Sequence, residues 1–232
     1  MKEYFLQIVK FLITKIGELL PDKIVYRLQT VIYYFRLAKW MKRNNFITKR
    51  RLINREKVFD SVIQKIYDKK VLYLEFGVYK GDSIKYWSKA LKNPESNLHG
   101  FDSFEGLPED FEFDGIFKKG TFDLKGEIPK VDDNRVKFFK GWFNETLPNY
   151  TLPSYEVLVI NMDADLYSST KYVLNFLQPY IIEGTYIYFD DLARPDHEPK
   201  AFEEFMKETG LKFKVIAVDY SLNNAFFECI GK

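Results

Sequence analysis

Four carboxylates crowd the second half of this chain. Asp163 and Asp165 fall in Met162-Asp163-Ala164-Asp165-Leu166-Tyr167-Ser168-Ser169-Thr170, and Asp190-Asp191 follows a little later. Each pair comes directly after a short apolar run, Tyr155–Asn161 or Thr185–Phe189, of the kind that forms a buried strand. Acids at two successive strand ends can reach one side of a common site. Hard divalent cations take such oxygen ligands, and a carboxylate there can accept a proton. Plain solvated strand-end acids are the alternative, but that reading gives no reason for them to gather at one edge.

Two further acids share the pattern. Val71–Leu74 reads as a short buried strand, closed by Glu75 and followed by Gly77 and Gly81. Asp82 or Ser83 can cap the helix that follows, with Ile84, Trp87 and Leu91 on one face. Strand, glycine turn and helix start make a cradle for a nucleotide-like ligand. The spacing is E-x-G-x-x-x-G rather than G-x-G-x-x-G, so the usual pyrophosphate fingerprint is absent. Glu75 suits an ammonium group better than a phosphate, which points toward S-adenosylmethionine. Asp102 ends the next strand, Asn97–Asp102, 27 residues beyond Glu75, about one β-α-β unit away. There a carboxylate can accept both ribose hydroxyls; a surface turn acid is the alternative. Trp142, in Gly141-Trp142-Phe143, could stack on a base or fill the core.

The elements that must position these residues are those of an α/β domain. Strands at 71–74, 97–102, 136–139, 155–161 and 185–189 alternate with helices. The chain closes with Phe213–Tyr220 and Ala225–Ile230, joined through Ser221-Leu222-Asn223-Asn224 as an antiparallel hairpin. The result is a mostly parallel sheet with one reversed strand. Ser103–Lys130 is a long irregular loop on the ligand side, with Phe at 104, 111, 113, 117 and 122. At 232 residues and 46% apolar, the chain can bury one sizeable domain core.

The formal net charge of +2 conceals an asymmetry. Residues 1–58 hold 14 Lys/Arg against 4 Asp/Glu, a net of +10; residues 59–232 carry 21 against 29, a net of −8. Phe5, Ile8, Val9, Leu12, Ile16, Leu19 and Leu20 recur at helical spacing. Pro21-Asp22 breaks that helix, and Ile24–Met41 forms a second, basic and aromatic one. This extension is read first as a cap on the domain 59–232 or on a second subunit, which makes a homo-oligomer an expectation. Peripheral contact with an anionic membrane surface is the alternative. No motif supports nucleic acid. The single Cys229 suits a reducing, cytoplasmic setting, and no secretory leader is read.

Several segments together resemble the macrocin O-methyltransferase family of class I S-adenosylmethionine-dependent enzymes. They are Leu74-Glu75-Phe76-Gly77-Val78-Tyr79-Lys80-Gly81, Phe101-Asp102-Ser103-Phe104-Glu105-Gly106-Leu107-Pro108, Asp163–Thr170, Gly141-Trp142-Phe143 with Thr146-Leu147-Pro148, and Gly184–Asp191. The likeness runs from about residue 70 to the C-terminus and does not reach residues 1–58. It implies a Rossmann-like, doubly wound, seven-stranded sheet with the last strand antiparallel, preceded here by the N-terminal helical extension. It also implies magnesium-assisted methyl transfer to a hydroxyl of a sugar-containing acceptor, a glycan or a glycosylated natural product. Glu75, Gly77 and Gly81 would then line the methionine end of the cofactor. Asp102 would take the ribose, and Ser103 and Trp142 the adenine side. Ser83, Gly141 and Asp163 complete the expected cofactor set. Asp165, Asp190 and Asp191 would hold the metal, with Asp165 also taking the proton. His197 resembles part of a recurring H-E…K-A-F segment and is a second candidate for base duty or substrate contact. A rival is a nicotinamide-dependent sugar oxidoreductase, because Tyr167–Lys171 has Y-x-x-x-K spacing. A membrane-docked binding module without catalysis is the other.

Overall fold

The computed structural model describes residues 2–48, 51–111 and 117–232. Phe113 of the aromatic loop and Lys49-Arg50 of the basic run lie outside them. The strands are β1 (Arg51–Leu52), β2 (Val71–Phe76), β3 (Asn97–Asp102), β4 (Val136–Lys140), β5 (Val157–Met162), β6 (Tyr186–Phe189), β7 (Phe213–Asp219) and β8 (Ala225–Cys229). The α-helices are α1 (Lys2–Leu19), α2 (Asp22–Arg43), α3 (Arg55–Ile66), α4 (Asp82–Ala90), α5 (Phe143–Thr146), α6 (Tyr167–Leu177) and α7 (Glu198–Thr209).

The strands form one sheet in the order β1-β7-β8-β6-β5-β2-β3-β4. Only β8 is reversed: it pairs antiparallel with both β6 and β7, while all other pairs are parallel. The expected seven strands are therefore present with the last one antiparallel. An eighth, the two-residue β1, extends the edge by pairing with Val218 and Asp219. So short a segment in a basic linker has no periodicity of its own; its strand character comes from β7.

The inner strands are covered on both faces, which explains their near-continuous apolar runs. Leu72, Leu74 and Phe76 of β2 face one layer, with α6, α7 and the end of α2. Val71 and Tyr73 face the other, with α3 and α4. The charge asymmetry divides the chain near residue 58, but packing divides it earlier. Leu37, Trp40, Met41 and Phe46 are buried in the first layer, and the Phe46 ring stacks 6.2 Å from that of Phe202.

Chain order explains where a site must form. From central β2, the crossovers proceed outward through β3 and β4, then return to β5 on the other side of β2. The carboxyl ends of β2 and β5 thus diverge at a topological switch point, where a crevice opens at the sheet edge.

Candidate active site

A cavity of about 820 Å³ opens at that edge. Gly77 forms part of its floor, at the closest approach of the two strand ends. A Cβ there would lie 1.8 Å from the Asp163 carbonyl oxygen, and the residue has φ +88°. Only glycine tolerates both demands. Asp163 donates its backbone N–H to the Phe76 carbonyl (2.9 Å), so the loops after β2 and β5 are tied together.

Asp102 is fixed by three backbone donors. Its Oδ2 accepts from the N–H groups of Val78 and Tyr79, each at 2.8 Å, and its Oδ1 from that of Phe104 at 2.7 Å. The strand-end acid therefore holds the Gly77 turn against the loop after β3 while lining the cavity. Ser103 lines it too, its Oγ accepting from the Glu105 N–H (3.1 Å). The Phe101–Pro108 segment then folds over: Gly106 has φ +79°, and a Cβ there would meet the backbone of Gly120 and Thr121 at 2.5–2.6 Å. Gly141 and Trp142 form the wall at the end of β4. Tyr79, Phe117 and Phe122 add aromatic surface, with ring centroids 5.4–5.5 Å apart.

Opposite this wall lie the acids. Asp163, Asp165, Asp190 and Asp191 all line the same cavity, together with Arg194. Burial, then repulsion from Asp190 and Asp165, holds the Asp163 carboxyl well above its usual range. Asp165 is pushed up to about 9 by burial and by Asp191, with which it shares a hydrogen bond. Asp190 is raised by burial but moderated by the Tyr188 hydroxyl, which donates to Oδ1 at 2.6 Å, and by Arg55, whose Nη1 lies 3.6 Å away. Asn224 Nδ2 also donates to Asp190 Oδ1 (2.9 Å).

Two organising residues were not legible as such in the sequence. Glu198, at the start of α7, is fully buried; its Oε1 accepts from the Ala164 N–H (3.4 Å) and its Oε2 from that of Asp191 (3.1 Å). It clamps the loops after β5 and β6 to each other. The only local signal was the His197-Glu198 dipeptide shortly after Asp190-Asp191. Arg55 comes from α3, and nothing in its neighbourhood announces a partner 135 residues away.

Not every expected residue stands on the cavity wall. Glu75 lies behind it: strand alternation turns its side chain to the face of Tyr73, whose hydroxyl donates to Oε2 at 2.6 Å. Asn161 Nδ2 in turn donates to the Tyr73 hydroxyl (2.7 Å). Gly81 caps α4 in the left-handed conformation (φ +75°), facing Pro129, and Ser83 is buried in the first turn of that helix. His197 precedes α7, its ring edge-on to Phe111 at 4.7 Å, with burial lowering its pKa. Tyr167 and Lys171 also lie off the wall. The Tyr167 hydroxyl donates to Glu204 (2.6 Å), and Lys171 pairs with Glu208 and Glu204 (2.6 and 3.3 Å). The Y-x-x-x-K spacing serves packing of α6 on α7.

The donor chemistry fits a hard divalent cation, since burial and mutual repulsion oppose ionisation of Asp163, Asp165 and Asp190 until positive charge arrives. Among the described residues, no three side chains of the His, Cys, Asp or Glu type already converge as a ligand shell.

Sheet order and the switch-point crevice define a Rossmann-like α/β protein with a cavity lined by strand-end acids at the carboxyl edge. Residues 41–227 match the family described as macrocin-O-methyltransferase (TylF), and the chain belongs to that family. The 8-demethyl-8-(2,3-dimethoxy-alpha-L-rhamnosyl)-tetracenomycin-C 4'-O-methyltransferase of Streptomyces olivaceus is 29% identical, over 52% of this chain and 52% of its own. Demethyldecarbamoylnovobiocin O-methyltransferase of Streptomyces niveus is 34% identical, over 51% of this chain and 50% of its own. The chain thus spans about half the length of these curated relatives. Among solved structures, a calicheamicin methyltransferase shares the fold with a TM-score of 0.55 at 22% identity, covering 75% of this chain and 76% of its own.

Proposed function

We propose that this protein is an S-adenosylmethionine-dependent O-methyltransferase acting on a hydroxyl of a sugar-containing small molecule or glycan. The observation that carries the reading is a single cavity with a glycine floor and Asp102 on one side and four carboxylates on the other. Family membership and the names of the relatives support it, since both relatives are O-methyltransferases and the tetracenomycin enzyme's name specifies a rhamnosyl compound.

In this reading Asp102 presents its outer lone pairs to the ribose diol, with its inner ones held by backbone N–H groups. Gly77 lets the methionine end lie against the chain, and Ser103, Gly141 and Trp142 flank the adenine. Asp163 closes the cofactor side, while Glu75, Gly81 and Ser83 shape the turn from behind. The acceptor hydroxyl enters on the acid side, where Asp165 is placed to take its proton. Burial and the hydrogen bond shared with Asp191 favour the protonated form of Asp165 in the cation-free site, and positive charge bound beside it would favour the ionised form that accepts this proton. Magnesium, held by Asp165, Asp190 and Asp191, would supply positive charge to offset the developing alkoxide. Glu198 and Arg55 hold these acids in place. His197 supports the wall through Phe111. The rest of the catalysis is in-line positioning of oxygen, methyl carbon and sulfur.

The test is transfer of isotopic methyl from S-adenosylmethionine to a panel of deoxysugar glycosides and lipid-linked saccharides, by the parent protein and by Asp165→Asn. Label appearing in a glycoside, and lost with the substitution, is the expected outcome. A panel in which label reaches only non-sugar hydroxyls would overturn the acceptor class.

A further inference from the structure

The two N-terminal helices lie almost wholly outside both the folded core and the family match, which begins at residue 41. No described residue before Leu37 is buried. On α1, the side chains of Phe5, Phe11, Leu12, Ile13, Ile16 and Leu19 are each more than half exposed. On α2, Ile24, Leu28, Val31 and Phe35 form an exposed stripe on the side away from the buried Leu37, Trp40 and Met41. An apolar surface of this extent on two water-exposed helices marks an interaction site.

Charge decides what covers it. Residues 1–58 carry a net of +10. Arg36 and Arg43 are spent on the body, paired with Asp196 and Glu203. Lys10, Lys23 and Arg27 make no ion pair among the described residues. The spacing of the α2 stripe would also suit a second helix. However, α2 sets only Asp22 against six Lys/Arg, and α1 adds only Glu3 and Glu18, the latter already paired with Lys15, so a second copy would bring one net-positive surface to another. An anionic lipid surface takes both features: apolar and aromatic side chains enter the acyl boundary, and lysine and arginine meet the phosphates. Neither helix is long and apolar enough to cross a membrane, so the two would lie in the surface.

Its placement has a consequence. The Tyr34 hydroxyl donates to the Ser221 carbonyl (2.8 Å) in the β7–β8 turn, and Arg36 grips Asp196 in the loop before α7. Both loops belong to the carboxyl edge where the cavity opens. We propose that α1 and α2 dock the protein on an anionic lipid bilayer through their exposed apolar side chains and unpaired cations, holding the cavity's edge of the sheet near the membrane surface.

The test is flotation of the full chain with vesicles of phosphatidylglycerol and phosphatidylcholine, against phosphatidylcholine alone, at low and high salt. Two variants accompany it: Leu12→Asp/Ile16→Asp, and Lys10→Glu/Lys23→Glu/Arg27→Glu. All five positions are solvent-exposed, and an unchanged melting midpoint would show that folding is intact. The expected result is flotation on anionic vesicles, with binding at least about tenfold weaker on neutral ones, in high salt and in either variant. Failure of the parent to float on anionic vesicles would overturn the proposal. So would flotation indifferent to both variants, or a dimer by light scattering that Leu12→Asp/Ile16→Asp dissociates while vesicles are ignored. Because methyl transfer is not the readout, failure here leaves the proposed activity standing.

Discussion

Replacing Glu75 by Gln should make the protein more stable at alkaline pH and hardly change it in acid. Glu75 is 1% exposed, and burial pushes its carboxyl from 4.5 up to about 8 against the favourable hydrogen bond from Tyr73. A group whose folded pKa exceeds its unfolded value contributes stability that is complete below pH 4.5 and lost as pH rises through 8. A shift of that size corresponds to about 5 kcal/mol at full ionisation. Gln keeps the shape and the acceptor for the Tyr73 hydroxyl but cannot ionise. Urea unfolding at pH 5 should therefore find the two proteins within about 1 kcal/mol of each other. At pH 9 the variant should be ahead by several kcal/mol, with the gap opening through the range between. Asp163, Asp165 and Asp190 are raised in the same direction, so the difference between parent and variant is the readout, not either slope alone. A stability difference that stays constant from pH 5 to pH 9 would refute the reasoning. It would mean that Glu75 is charged and satisfied in the fold.

Gly77→Ala would place a methyl 1.8 Å from the Asp163 carbonyl oxygen at φ +88°, so the ends of β2 and β5 must separate. A loss of about 2–4 kcal/mol in urea unfolding is expected, with S-adenosylhomocysteine binding abolished by calorimetry. Glu198→Ala would leave the N–H groups of Ala164 and Asp191 without their acceptor. Turnover should fall more than about tenfold and stability by about 2 kcal/mol, while cofactor affinity stays close to the parent's; equal loss of both would contradict a role confined to the acids. Burial holds the His99 ring down to about 4, its Nδ1 2.7 Å from the Tyr150 hydroxyl. Its folded pKa is below its unfolded one, so its contribution is complete above pH 6.5 and lost as pH falls through 4. His99→Asn should remove about 2 kcal/mol of that acid dependence between pH 7 and pH 4.5, read from unfolding at those two values.

The fold was legible wherever a local pattern matched its tertiary environment. Buried strands such as β2 and β5 are apolar because both faces are covered, and the hairpin β7–β8 declares itself by a short link. What was not legible depended on distant partners. Arg51–Leu52 is a strand only because β7 offers an edge, and Phe46 joins the core only because Phe202 and Phe227 await it. The site shows the same division. Strand-end acids could be placed at one edge from their spacing, and Asp102, Asp163, Asp165, Asp190 and Asp191 do share a cavity. Glu75 is one residue too early to share it: β2 runs on to Phe76, and alternation turns the carboxylate toward Tyr73 and away from the ligand side. Glu198 and Arg55 act only by reaching across the fold, which no spacing encodes.

The measurement that tests the central claim most directly is calorimetric titration with S-adenosylmethionine, S-adenosylhomocysteine and NAD(H), with and without magnesium, on the parent and on Asp102→Ala. The expected result is micromolar binding of both adenosyl ligands, none of NAD(H), and a loss of at least about tenfold, or 1.4 kcal/mol, in the variant. Binding of NAD(H) alone, or adenosyl binding untouched by Asp102→Ala, would contradict it.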